Sequence, residues 1–200
     1  MKRILASGLA AAFSVALVAC GGGENQQQAE ATAEPATEAA EATEGESAEL
    51  SVPDWMHVDS EAQTVTLDIT AGATDANNHW NFNGHFKGDA AIVVPEGYSV
   101  TINFKNADPA NPHSLAIDPR TGGTWPAMFT DAEPAFEGAE TAGAADMTEA
   151  TQPGESETIT FTADTAGDYS MVCYVPAHAA TGMWVGFRVS ADGEAGVQAE

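Results

Sequence analysis

Cysteine is almost missing from this sequence: in 200 residues only Cys20 and Cys173 occur, too few for a disulfide framework to carry the fold. Basic side chains are scarce too, six lysines and arginines against 30 aspartates and glutamates, for a formal net charge of -24. That balance excludes nucleic acid as a partner, because neutralising phosphates takes clustered Lys and Arg. Its plain reading is solubility; its functional reading is steering toward a basic partner. No apolar run reaches the about 20 residues that a spanning helix needs. Residues 21–50 contain no aromatic residue and a single leucine, so nothing there can bury a core.

What is present divides the chain in three. Residues 1–19 carry Lys2 and Arg3, then a short uncharged stretch of small and apolar residues, which reads as a secretory signal peptide. The stretch "LVAC" resembles the lipobox of bacterial lipoproteins and makes Cys20 the expected lipid-bearing residue, placing the protein on the periplasmic or cell-surface side of a bacterial membrane. Residues 20–50 then read as a flexible acidic linker in which glutamates alternate with Ala, Thr and Gln. With Cys20 committed to lipid, Cys173 is a lone thiol in an oxidising compartment, a liability unless something holds it.

From residue 51 to 200 the pattern is that of an all-β domain. "TVTLDIT" sets Val65, Leu67 and Ile69 on one face, and "YSVTINFKN" alternates Val100, Ile102 and Phe104 with polar neighbours. "WNFNG", "AAIVVPEG", "HSLAI", "ETITFTA", "GDYSMVC" and "GMWVGFRVS" continue the series. Seven or eight short strands parted by Gly, Pro, Asn and Asp predict an antiparallel sandwich or barrel. Residues 118–156 interrupt the rhythm. This long acidic loop insertion reads as functional, as mobile, or as a loop with some helix around 134–150, and its apolar Trp125, Met128 and Phe136 indicate that part of it packs down.

Chemistry concentrates in "YSMVCYVPAHAATGMWVGF", where Cys173, His178 and Met183 follow one another at steps of five on a loop between two apolar strands. "NPHSLAI" supplies His113 at the start of another strand. A thiolate, two imidazoles and a thioether match the His2Cys site with a weak axial Met that defines blue copper. Thiolate and imidazole suit both copper oxidation states, and a weak axial donor does not force a new geometry on the reduced ion. Zinc also accepts Cys and His but rarely Met, and a structural zinc site normally takes more cysteines. A binuclear copper centre needs a second cysteine on this loop, and a trinuclear one needs His-x-His pairs, which the sequence lacks. His57, His79 and His85 offer a weaker case for a second metal site, and Met128 with Met147 for soft ligands that help load copper.

The Cys173, His178, Met183 spacing, with His113 upstream, resembles the cupredoxin pattern of rusticyanins and sulfocyanins, and "WNFNGHFKGDAAIVVPEG", Trp80 to Gly97, is similar to the sulfocyanin signature. The resemblance implies a Greek-key β-sandwich and one type 1 copper ion, Cu(I)/Cu(II), held by His113, Cys173, His178 and Met183. It implies an apolar collar of Tyr174, Pro176, Ala177, Ala179, Ala180 and Trp184 around the edge of His178; Ser114 departs from the pattern, standing where many cupredoxins have asparagine, and its hydroxyl is expected to bridge the two ligand loops instead. The expected function is one-electron transfer, without catalysis, between membrane-associated redox proteins such as c-type cytochromes or a terminal oxidase or reductase. The alternative is an exported copper chaperone or copper-storage protein, from which the thiolate of Cys173 distinguishes it.

Overall fold

A computed structural model describes residues 49–200. The signal peptide 1–19, Cys20 and nearly all of the linker 20–50 lie outside the described residues. Nine strands run in the order β1 (Met56–Asp59), β2 (Thr64–Ala71), β3 (Ala90–Pro95), β4 (Ser99–Asn106), β5 (Ala116–Asp118), β6 (Ser156–Thr162), β7 (Gly167–Val172), β8 (Trp184–Ser190) and β9 (Gly196–Ala199). They form one sheet of order β1-β2-β4-β6 and a second of order β5-β7-β8-β3-β9. The alternation read from the sequence is realised in packing. Val65, Leu67 and Ile69 of β2, Val100, Ile102 and Phe104 of β4, and Ile159 and Phe161 of β6 share one buried cluster with Ile92, Val94, Met171, Val185, Phe187 and Val189 of the other sheet.

The sheets are mixed, which corrects the expectation of antiparallel pairing throughout: β2 pairs parallel with β4, and β3 parallel with β8. β3 belongs to the other sheet, so β2 and β4 lie side by side with a crossing between them. Period-2 alternation encodes which face is buried and says nothing of strand direction. Strands β1 and β9 are short and were not legible, since "MHVD" and "GVQA" carry little apolar alternation. "WNFNG" forms a turn and not a strand, with Phe82 N–H and His85 N–H bonded to each other's carbonyls at 2.9 and 2.8 Å.

The stretch between β5 and β6 contains no helix, which removes one of the alternatives read from the sequence. Gly138 and Gly143 take φ of 82° and 56° there, which breaks any helical run. The stretch packs down along β5 instead. Ile117 N–H bonds to Ala139 O (2.9 Å), Thr141 N–H to Leu115 O (2.9 Å) and Ala135 N–H to Ile117 O (2.7 Å), covering the open edge of the five-stranded sheet. Trp125 and Phe136 are buried as expected, whereas Met128 is 64% exposed.

Candidate metal centre

Three donors from two segments converge at one end of the sandwich. Cys173 follows β7, and His178 sits in the loop to β8 just before a 3-10 turn, Ala179–Thr181. Gly182 closes that turn at φ 112°, where a side chain would strike the Lys87 stem at 2.4 Å. The loop is tied from within: Cys173 N–H donates to Met183 O (3.1 Å) and Met183 N–H to His178 O (2.9 Å). His113 arrives just before β5, where its N–H bonds to Thr151 O at 3.0 Å. Asn106 shapes the approach, its amide donating to Asn111 O and Thr151 O at 2.9 Å each.

The result is a group in which one atom each of His113, Cys173 and His178 lies within 4.8 Å of the others. Nδ1 of His113 and Nδ1 of His178 are 3.1 Å apart, and the Cys173 Sγ stands 3.9 and 3.5 Å from them. A central ion with bonds of about 2.0–2.1 Å to imidazole and about 2.3 Å to thiolate would set such donors about 3.1–3.8 Å apart at angles of about 100–120°. The observed 3.1–3.9 Å lies close to that range, so His113, Cys173 and His178 would hold one metal ion between them. Met183 is fully buried in the same cluster as Cys173 and Val185.

Protonation agrees with that reading. His113 Nε2 is 3.0 Å from Asp108 Oδ2, and this bond places the ring proton on Nε2 and leaves the Nδ1 lone pair toward the cluster. Burial would raise the Asp108 carboxyl, yet bonds from Ala110 N–H, Asn111 and His113 hold it below the ordinary range. Burial pulls His113 below its usual value against the opposing pull of Asp108. It takes His178 down to about 4, with the neighbouring His113 adding to the shift. Burial thus disfavours the charged form of both rings, the form that cannot serve as a ligand. Burial pushes the Cys173 thiol up to about 11, although Ser114 opposes it. A metal that takes this sulfur must displace its proton.

Ser114 does bridge the two ligand segments. Its N–H lies 3.4 Å and its hydroxyl 3.6 Å from Cys173 Sγ, and the hydroxyl oxygen accepts from Tyr174 N–H at 2.9 Å. The collar is smaller than expected. Tyr174 and Ala179 are each 1% exposed and belong to a second cluster with Trp125, Val172 and Ala116. Pro176, Ala177 and Ala180 remain at the surface. Ala177 holds φ 70°, supported by its N–H bond to Ala127 O at 2.7 Å. His57 is exposed, His79 and His85 are half-buried, and among the described residues none of the three joins a metal-binding group.

Two contributors escaped sequence reading. Asp108, five residues before His113, was visible only as one more acid in an acidic chain. Trp80 stacks on the His178 ring with centroids 4.1 Å apart, a contact between residues almost a hundred positions apart that no local pattern encodes.

Two facing sheets with a buried His-Cys-His cluster and a buried Met at one end define a cupredoxin with a type 1 copper site. Residues 52–196 match the family described as the sulfocyanin (SoxE) domain, and the chain belongs to that family. A curated sulfocyanin of Sulfolobus acidocaldarius is 30% identical over 127 residues, covering 62% of this chain and 63% of that protein. Among solved structures, reduced auracyanin of Roseiflexus castenholzii is 29% identical with a TM-score of 0.43, covering 62% of this chain and 96% of its own. A rusticyanin of Thiobacillus ferrooxidans is 21% identical with a TM-score of 0.44, over 68% of this chain and 87% of its own. A copper nitrite reductase of Nitrosomonas europaea is 27% identical with a TM-score of 0.43, over 64% and 41%.

Proposed function

We propose that the chain is a one-electron carrier and not an enzyme, working between membrane-associated redox partners such as c-type cytochromes or a terminal oxidase or reductase. The observation that carries this reading is closure: His113 and Cys173 are 0% exposed, His178 is 3% exposed, and Met183 is 0% exposed, so no position faces a substrate. When bound, copper supplies a reversible Cu(I)/Cu(II) couple. The residues supply a rigid frame. Neutral histidines fixed from outside by Asp108 and Trp80, and a sulfur held by Ser114, give the same donor geometry to both oxidation states. The edge of His178 is the exit toward a partner, with Pro176, Ala177 and Ala180 around it.

The "LVAC" leader and the linker support placement on the outer side of a bacterial membrane, with the lipid on Cys20. Cys20→Ala is expected to release the protein from membranes without altering its copper spectrum; partitioning that is unchanged in this variant counts against the anchor. For function the test is optical. Loading with Cu(II) is expected to give an intense blue protein that reduced cytochrome c bleaches, and Cys173→Ser is expected to be colourless while still folded. A colourless wild type that binds only Cu(I) would establish the chaperone or storage reading instead.

A further inference from the structure

We infer that Trp80 is a positioning residue for His178, fixing the imidazole plane from its free face and favouring the oxidised state of the centre; this rests on the carrier reading above. The indole and imidazole planes are 21° apart at 4.1 Å between centroids, a stacked pair. The His113 ring approaches the same imidazole at 4.9 Å and 58°, tilted rather than stacked. The flat contact on His178 therefore comes from Trp80.

The chain goes to unusual lengths to deliver this indole. Asn77, Asn78 and His79 take φ of 48°, 60° and 66°, three consecutive left-handed residues none of which is glycine, before Trp80 returns to φ -88°. Such backbone is disfavoured for any residue with a Cβ, least so for Asn, and persists only where the surroundings over-determine it. Here they do. The Asn77 amide donates to Trp80 O (2.9 Å) and Trp80 N–H to Asn77 O (3.1 Å). Asn81, fully buried, donates to Thr74 O (2.9 Å) and Ala76 O (2.8 Å) and accepts from Gly84 N–H (3.0 Å). Asn83 clasps β2 beside it, accepting from Thr70 N–H (2.7 Å) and donating to Asp68 O (3.0 Å). The asparagines of "NNHWNFNG" thus replace backbone partners in a turn that adds no strand to either sheet and no donor to the cluster. The turn also buries Phe82 in the core; what its left-handed part, 77–79, does is to set Trp80 on His178.

An imidazole on Cu(II) carries more positive charge than one on Cu(I), and the face of an indole attracts positive charge. The stack stabilises the oxidised state more and lowers the potential. It also closes one flank of the ligand to water and to rotation.

Wild type, Trp80→Phe and Trp80→Leu separate this role from packing. In the metal-free protein, NMR is expected to show His178 ring protons shifted upfield by the indole, less so with Phe and not with Leu. In the copper-loaded protein all three are expected to stay blue. A redox titration should then place the Leu variant higher, with the Cu(I)/Cu(II) ratio at a fixed poise raised roughly two- to fivefold, and Phe between. Absence of the wild-type ring-current shift, or equal potentials in wild type and Leu variant, would overturn the inference, since a packing residue would move stability alone. Should the Leu variant fail to fold, Phe decides: a raised potential upholds the role and an unmoved one overturns it. Loss of blue colour in wild type would sink the carrier reading and leave the metal-free ring-current test standing.

Discussion

Cys173 and Tyr174 are neighbours in sequence, yet alternation sends them to opposite sides of the five-stranded sheet, and the two sides solve the problem of buried polarity differently. On the Tyr174 side the protein pairs its own buried charge, and among the described residues there only the Trp125 indole N–H is left without a partner. The phenol donates to Asp118 (2.8 Å), and Arg120 grips the same carboxylate through Nε (2.8 Å) and Nη2 (2.6 Å) while its guanidinium lies 5.3 and 5.1 Å from the Trp125 and Phe129 rings. Burial would raise Asp118, but Arg120 and Tyr174 together hold it below the ordinary carboxylate range. On the Cys173 side, three donors face one another across 3.1–3.9 Å with one ring proton already committed to Asp108. A shared proton can satisfy one pair there; a cation satisfies all three. One side neutralises its buried charge with protein groups, and the other is a frame for an ion.

The most direct way to break that contrast is to loosen the frame. Asp108→Ala frees the His113 ring to change tautomer and tilt. Loss of such an outer partner is expected to weaken copper binding by about 10- to 100-fold, on the order of 1.4–2.7 kcal/mol. Competition titration against a copper chelator measures it. Asp108→Asn, which keeps an acceptor without the charge, should fall between Ala and wild type. Wild-type affinity in the Ala variant would mean that His113 is held by its backbone alone.

Sharper and smaller is the effect expected at Met183. Glutamine offers a harder oxygen where a soft thioether favours Cu(I), so Met183→Gln should lower the potential by about 59 mV or more, on the order of 1.4 kcal/mol. Leucine, donating nothing, should raise it. Redox titrations of the two variants check the sign of each shift. Equal potentials across the set would assign the axial place elsewhere, with Met171, also fully buried, the nearest alternative in sequence.

The donors of the inner side were legible because their chemistry is concentrated: a lone Cys, a His and a Met at equal steps can be seen along the chain, and His113 announces itself behind Pro112 at a strand start. The sandwich was legible through β2, β4 and β6, where burial alternates residue by residue. What supports those donors was not. Asp108, Trp80 and the Tyr174 annex act through contacts between distant residues, and a carboxylate among 30 acids carries no mark of the one ring it faces. The stretch after β5 failed for a related reason. Its alanines and glutamates favour helix locally, while bonds to β5 and glycines in left-handed backbone decide the outcome.

The smallest expected effect on the copper site tests whether the two sides are independent. Tyr174→Phe removes one hydrogen bond to a charged group but leaves Asp118 satisfied by Arg120 and by the Arg120 N–H at 2.8 Å, so no carboxylate is stranded. The cost should be about 1.5 kcal/mol of stability, the low end for a hydrogen bond to a charged group because Asp118 keeps its Arg120 partners, and short of the penalty for an unpaired buried ion. It is read from denaturant midpoints of the metal-free domain. Its pH dependence has a definite sign. A carboxyl lowered in the fold stabilises above its unfolded value and loses that contribution as pH falls through its folded value; losing the Tyr174 bond raises the folded value, so the acid-induced loss of stability should be smaller and should be complete at slightly higher pH. Tyr174 N–H, which bonds to the Ser114 hydroxyl beside Cys173, belongs to the backbone and survives the substitution. The copper spectrum and potential should therefore stay where they are. A shifted potential in Tyr174→Phe would show that the sheet transmits the state of Asp118 to the sulfur one residue away, and the two sides would then have to be treated as a single polar network.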